Sequence, residues 1–165
     1  MRASPLFQTD SKCEVMIGEV QIRSAVPEDV GPILEMLQRL ARHEGTPHPP
    51  RLTAEALRRD AFGAAACLDV LIASKNGEAV GFLTAYESYS SWEGGKTLHI
   101  GDLWVEPEMR GMGLGKFLIE RIAQKFPARR IDVYVVRDNP SRKFYERMGF
   151  NDQRWLCLYR RDGSS

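Results

Sequence analysis

Between Leu103 and Lys116 the chain reads LWVEPEMRGMGLGK. An apolar stretch stops at Pro107, glycines alternate at Gly111, Gly113 and Gly115, and Leu114, Phe117, Leu118, Ile122 and Phe126 then recur at helical spacing. A strand, a glycine-rich turn and a helix in that order leave free backbone N–H groups at a helix N-terminus, which bind anions, phosphate above all. Arg110 and Lys116 bracket the turn with positive charge. The chemistry implied is a pyrophosphate cradle. A Walker loop needs GxxxxGK followed by Ser or Thr, but Arg110 stands where its first glycine would be and Phe117 follows Lys116. The dinucleotide pattern GxGxxG fails at Lys116 when counted from Gly111 and at Leu118 when counted from Gly113. The competing reading is a turn whose glycines serve backbone geometry alone.

The elements that must position this turn follow from periodicity. Glu19 to Val26 alternates as a first strand, and Val30, Ile33, Leu34, Leu37 and Leu40 mark a helix opened by Pro27. Pro32, one turn in, predicts an irregular start. Thr53 caps a short helix that stops near Gly63. Cys67 to Ser74 and Glu78 to Tyr86 read as strands joined at Asn76-Gly77, a strong hairpin signal. Ser88 to Lys96 reads as a flexible connection, Thr97 to Val105 as a fourth strand and Ile131 to Val135 as a fifth. Asn139-Pro140 predicts a helix start, Phe144, Tyr145 and Met148 share one helix face, and Gly149 ends it; Trp155 to Tyr159 reads as a last strand. The order describes an α/β domain with a mixed central sheet of about six or seven strands and helices on both faces.

The chain has 165 residues, enough for one domain with its own core. Residues 1–18 read as a polar tail without a signal-peptide core and 19–165 as the domain, which points to the cytoplasm. With 23 Lys+Arg against 22 Asp+Glu, the basic excess of a nucleic-acid binder is missing. No apolar run approaches the roughly 20 residues of a membrane span. Cys13, Cys67 and Cys157 include no CxxC pair, and His43 and His48 lack a partner set, so neither a disulfide framework nor a metal site is expected.

Arg110-Gly111-Met112-Gly113-Leu114-Gly115 resembles the R/Q-x-x-G-x-G/A signature of the GNAT superfamily of acyl-CoA-dependent N-acyltransferases, and LWVEPEMR resembles the strand that leads into it. Asn139-Pro140-Ser141, Phe144-Tyr145 and Met148-Gly149-Phe150 resemble the family's second block. The likeness covers about Val20 to Tyr159. A weaker likeness, in LTAEALRRDAFG at 52–63 and WEGGKTLHIGDLWV at 92–105, is to diamine acetyltransferases.

The resemblance implies a single-domain GNAT-type fold and acetyl transfer from acetyl-CoA to a primary amine, by direct attack in a ternary complex without a metal. Backbone groups of Leu103, Trp104 and Val105 would pair with the pantetheine arm, and those of Met112 to Lys116 would hold the pyrophosphate. Asn139, Ser141 and Phe144 belong to the same cofactor set, and Tyr145 stands at the position of the family's acid. The family asparagine falls on Asp138 or, one place later, on Asn139. Diamine acetyltransferases carry a glutamate where this chain has Gly101. Asp102 is therefore the first candidate for the base, with Glu87 and His99 behind it; the alternative makes Asp102 a structural carboxylate beside a β-bulge at Gly101. Tyr86, Glu87 and Trp92, with Glu93, are the candidates for the acceptor pocket, since carboxylates and aromatic faces suit a cationic amine. The partners expected are acetyl-CoA and a small polyamine-, amino-acid- or aminoglycoside-like amine, in a homodimer, without nucleic acid or membrane. Two other functions fit the pattern: acetylation of a protein or peptide, and acyl-CoA binding without catalysis.

Overall fold

Strand alternation accounts for most of the architecture of this chain, whose computed structural model describes residues 14–136 and 139–152. These fall into two compact units divided after Tyr134. In the first, six strands form one sheet in chain order: β1 (Val15–Ile17), β2 (Val20–Ser24), β3 (Asp69–Lys75), β4 (Glu78–Ser90), β5 (Gly95–Val105) and β6 (Ile131–Val133). Successive pairs are antiparallel except β5 with β6, which are parallel and joined through a helix, as a parallel pair requires.

Successive residues of the central strands are buried on both faces, so both must be covered. On one face α1 (Val30–Glu44) and α2 (Ala54–Phe62) pack Ile33, Met36, Leu37 and Leu57 against Val70, Ile72, Phe82 and Trp104. The residues between these along the strands, Leu71, Ala73 and Leu83, are also buried and face the other way, the side left for α3 (Leu114–Lys125) with its buried Leu114, Leu118, Ile119 and Ile122. The expected helices on both faces are present.

Local signals explain the joints. Thr53 Oγ1 accepts from the Ala56 N–H at 3.1 Å, as a cap should. Pro27–Asp29 forms a 3₁₀ turn rather than the first turn of α1. That leaves Pro32 third in α1, where its missing N–H has no intrahelical acceptor to lose. Asp29 ties this entry to β2: Arg23 donates to both its oxygens at 2.6 and 2.9 Å, and the Val26 N–H donates at 2.8 Å. Burial pulls the Asp29 carboxyl up, but these donors outweigh it and hold it below its ordinary value.

Three expectations need correction. The sheet begins inside the segment expected to be a tail, because Val15, Met16 and Ile17 pair with β2. The supposed flexible connection at 88–96 belongs mostly to a long hairpin, in which Ser88, Tyr89 and Ser90 of β4 pair with Thr97, Lys96 and Gly95 of β5. Its backbone ladder continues although its side chains are mostly exposed and polar. The fifth expected strand stops at Val133 instead of Val135. The expected strand at Trp155 to Tyr159 lies outside the described residues.

In the second unit, α4 (Arg142–Arg147) begins two residues later than the Asn139-Pro140 start implied, with Ser141 as its N-cap. Asn139 still shapes the entry: its Oδ1 accepts from the Ser141 N–H at 2.8 Å. Tyr145 packs edge-on to Phe144 and Phe150, with ring centroids 5.0 and 5.6 Å away.

Candidate active site

β5 carries two separable surfaces. The first lies at its C-terminal end. β6 pairs with β5 only from Leu98 to Ile100, so from Gly101 to Val105 the strand has β4 on one edge and no strand among the described residues on the other. The Trp104 side chain is 5% exposed within the α1 core, and its backbone pairs with Phe82 of β4, so Leu103 and Val105 are the residues whose backbones face that edge. The turn beyond holds Gly111 at φ +79° and Gly113 at φ +81°, both left-handed, and no atom lies within 4 Å of where a Cβ would be built on either. Gly113 is the N-cap of α3, and no side chain caps the helix. The Phe117 N–H reaches back to the Gly113 carbonyl at 3.0 Å, leaving Leu114, Gly115 and Lys116 N–H groups without intrahelical acceptors. Open space, uncapped donors and a helix N-terminus suit an anion such as pyrophosphate, and a free strand edge suits an extended amide-bearing arm.

The flanking cations behave differently from each other. Arg110 lies 4.7 Å over the Trp104 ring and donates from Nε to the Val105 carbonyl at 2.9 Å. It staples the turn to the strand as well as supplying charge. Lys116 is exposed and leans on Glu120 at 3.6 Å.

The second surface depends on a bulge. Ile100 pairs with Ala85, but it is Asp102, not Gly101, that pairs with Thr84. One residue too many on β5 reverses the alternation beyond it. Asp102 therefore faces the same side as Thr84, Tyr86 and His99, and not the α3 side. The Thr84 hydroxyl donates to Asp102 Oδ2 at 2.7 Å and accepts from the Asp102 N–H at 2.9 Å. Burial raises the half-buried Asp102 carboxyl above the ordinary carboxylate range, against the opposing Thr84 bond and His99.

Further along the same face is a pocket of about 290 Å³ lined by Tyr86, Trp92, His99, Arg130, Asp132 and Tyr134, among others. His99 is buried between Tyr86 and Tyr134, with ring centroids at 4.8 and 4.5 Å. Burial lowers its pKa, with Asp132 and Asp102 pulling the other way. Arg130 holds Asp132 at 2.8 Å and Glu93 at 3.0 Å. Within the lining Arg130 and Asp132 balance in charge, and the faces of Tyr86, Trp92 and Tyr134 are a setting for a cation.

The structure thus groups Tyr86, Trp92 and His99 and turns Asp102 to their side. It separates Glu87 from them: Glu87 points to the opposite face of β4 and pairs with Lys96 at 2.7 Å. Arg130, Asp132 and Tyr134 escaped the sequence reading, since pairing with β6 brings them in from over thirty residues away. Thr84 gave no signal beyond an ordinary strand position. Asn139, Ser141, Phe144 and Tyr145 lie in the second unit, and Asp138 lies outside the described residues.

The acetyltransferase (GNAT) family matches residues 33–150. The chain belongs to that family. This GNAT chain is 37% identical over 113 residues to the thialysine N-epsilon-acetyltransferase of Bos taurus, covering 64% of the chain and 66% of that protein, just under two thirds of its length. It is 35% identical over 111 residues to the spermidine/spermine N(1)-acetyltransferase-like protein 1 of Homo sapiens, covering 63% of the chain and 16% of that protein. The solved ribosomal-protein-alanine N-acetyltransferase of Brucella melitensis shares the GNAT fold with a TM-score of 0.71, at 24% identity, over 88% of this chain and 99% of that one. Among its described residues this GNAT-family chain has no group of three or more His, Cys, Asp or Glu that could hold a metal ion, and no helix long and apolar enough to cross a membrane.

Proposed function

We propose that the protein transfers the acetyl group of acetyl-CoA to a primary amine of a small molecule of lysine-like or polyamine-like chemistry, by direct attack. The observation that carries this reading is the double use of β5. Its free edge and the α3 turn offer a donor site, while the Gly101 bulge turns Asp102 to the face that carries an aromatic pocket with Asp132 in its lining. Acetyl-CoA supplies a thioester. Backbone N–H groups from Met112 to Lys116 hold its pyrophosphate, and Leu103 to Val105 hold its pantetheine arm. The acceptor ammonium is drawn to Tyr86, Trp92 and Asp132.

An alkylammonium of pKa about 10.4 is only about one part in a few thousand neutral at pH 7. A base must take its proton, and Asp102, raised by burial, is that base. Tyr145 donates to the departing thiolate. Exposed Tyr89 and Trp92 on the hairpin arm suit burial against a second copy, consistent with a homodimer, and we place the enzyme in the cytoplasm.

The test is thiol release from acetyl-CoA across lysine, thialysine, putrescine, spermidine, an aminoglycoside and a short peptide. A strong small-amine response is expected. A response from the peptide alone would replace this reading with protein acetylation, and tight CoA binding with no turnover on any of them would count against catalysis. With a responding amine, Tyr145→Phe is expected to lower kcat about tenfold or more while CoA affinity stays within about twofold. An unchanged kcat would remove Tyr145 from its role.

A further inference from the structure

We propose that Thr84 is a positioning residue that leaves Asp102 only one oxygen, Oδ1, on which to take the proton from the acceptor amine. The inference rests on Asp102 being the base. A threonine hydroxyl has one proton and two lone pairs. Here one lone pair accepts the Asp102 N–H at 2.9 Å and the proton goes to Asp102 Oδ2 at 2.7 Å. Thr84 is 2% exposed, so water does not compete for that hydroxyl. Oδ2 is thereby committed as an acceptor, and no hydrogen bond among the described residues engages Oδ1. The proton leaves the amine nitrogen and arrives on Oδ1, and the nitrogen keeps the electron pair with which it attacks.

The clasp explains Gly101. A Cβ built there would stand 2.8 Å from Thr84 Oγ1, inside contact distance, so any side chain would push the hydroxyl off its two bonds. The bulge and the missing side chain are both needed, one to turn Asp102 to this face and the other to leave room for the hydroxyl that orients it. Other charged or titratable groups on this face are Tyr86 from β4, His99 from β5, Asp132 of β6 with the adjoining Arg130, His43 and Arg110 around Trp104, the Arg39–Glu106 pair between α1 and the end of β5, and the Arg23–Asp29 pair at β2.

The hydrogen bond from Thr84 favours the charged carboxylate, so removing it raises the Asp102 pKa further and leaves less base at neutral pH. In a Thr84→Val protein the acid limb of kcat/KM against pH should move up by about one unit, with about a tenfold loss below it that closes as pH rises. Thr84→Ser should return the limb toward its original position. Gly101→Ala should shift it in the same direction as Thr84→Val, and gives a second route should the valine protein not fold. A role in folding alone would lower activity at every pH without moving the limb. An unmoved limb in folded Thr84→Val or Gly101→Ala, with Asp102→Asn still costing about a hundredfold or more near pH 7, overturns the positioning role and leaves the base assignment standing. A loss of only a few-fold at pH 7 in Asp102→Asn overturns both.

Discussion

Asp102→Asn is expected to lower kcat near neutral pH by about 10²- to 10⁴-fold, the range for loss of a positioned general base. Asparagine has the same shape and can still accept the Thr84 hydroxyl bond, so the bulge and the strand pairing should survive. What it lacks is an oxygen that can take a proton. The deficit should therefore depend on pH in a defined way. Below the amine's pKa of about 10.4, each unit of pH multiplies the neutral amine by about ten. The mutant rate should climb with that fraction, while the wild-type rate flattens once Asp102 is ionised. The gap is widest near neutrality and narrows toward pH 10. KM for acetyl-CoA should stay within about twofold, because the α3 turn and the free β5 edge do not involve the carboxylate. Kinetics of thiol release from pH 6 to 10 check all three features. A loss of only a few-fold at pH 7 would move the base to His99, which lines the same pocket.

That a single carboxylate is worth testing was partly legible in the residues themselves. Asn76-Gly77, Thr53 and the Leu114–Ile122 stripe each act through local chemistry, and the hairpin, the cap and the helix they imply are all present. Gly101 inside a strand pattern announced a bulge for the same reason: a residue without a side chain marks a place where the ladder can slip. The consequence of the slip was not legible. Which face Asp102 takes depends on the partner strand's register, and Thr84 lies 18 residues away in sequence. The hairpin arm at 88–96 was misread because its side chains are mostly solvated, so apolar alternation is absent where the backbone ladder persists. β1 was missed because three residues are too few to show a period. Arg110 looked like a free phosphate ligand, yet its bond to the Val105 carbonyl and its stacking on Trp104 are tertiary contacts.

Gly113→Val is expected to weaken CoA binding about a hundredfold or more while the protein remains folded. Gly113 holds φ +81° at the N-cap of α3, a conformation that costs a β-branched residue roughly 1–3 kcal/mol. Nothing lies within 4 Å of the built Cβ, so no clash forces unfolding. The chain then has two options. It can keep the left-handed turn under strain, with an isopropyl group in the open space above it. Or it can relax to negative φ, which swings the preceding peptide and re-aims the N–H groups that frame the helix N-terminus. Both spoil the cradle, since backbone N–H bonds to an anion contribute about 1.5–3 kcal/mol each and loss of two is enough for a hundredfold change. Titration calorimetry with CoA measures the effect directly, and circular dichroism confirms the fold. Gly31→Ala, on α1 with open space around it and no part in the cradle, serves as the control and should bind CoA normally. Amine-dependent turnover at saturating acetyl-CoA should recover substantially, since Asp102 and the aromatic pocket are untouched. Wild-type affinity in folded Gly113→Val would mean that the pyrophosphate lies elsewhere, and the α3 turn would lose its place in the donor site.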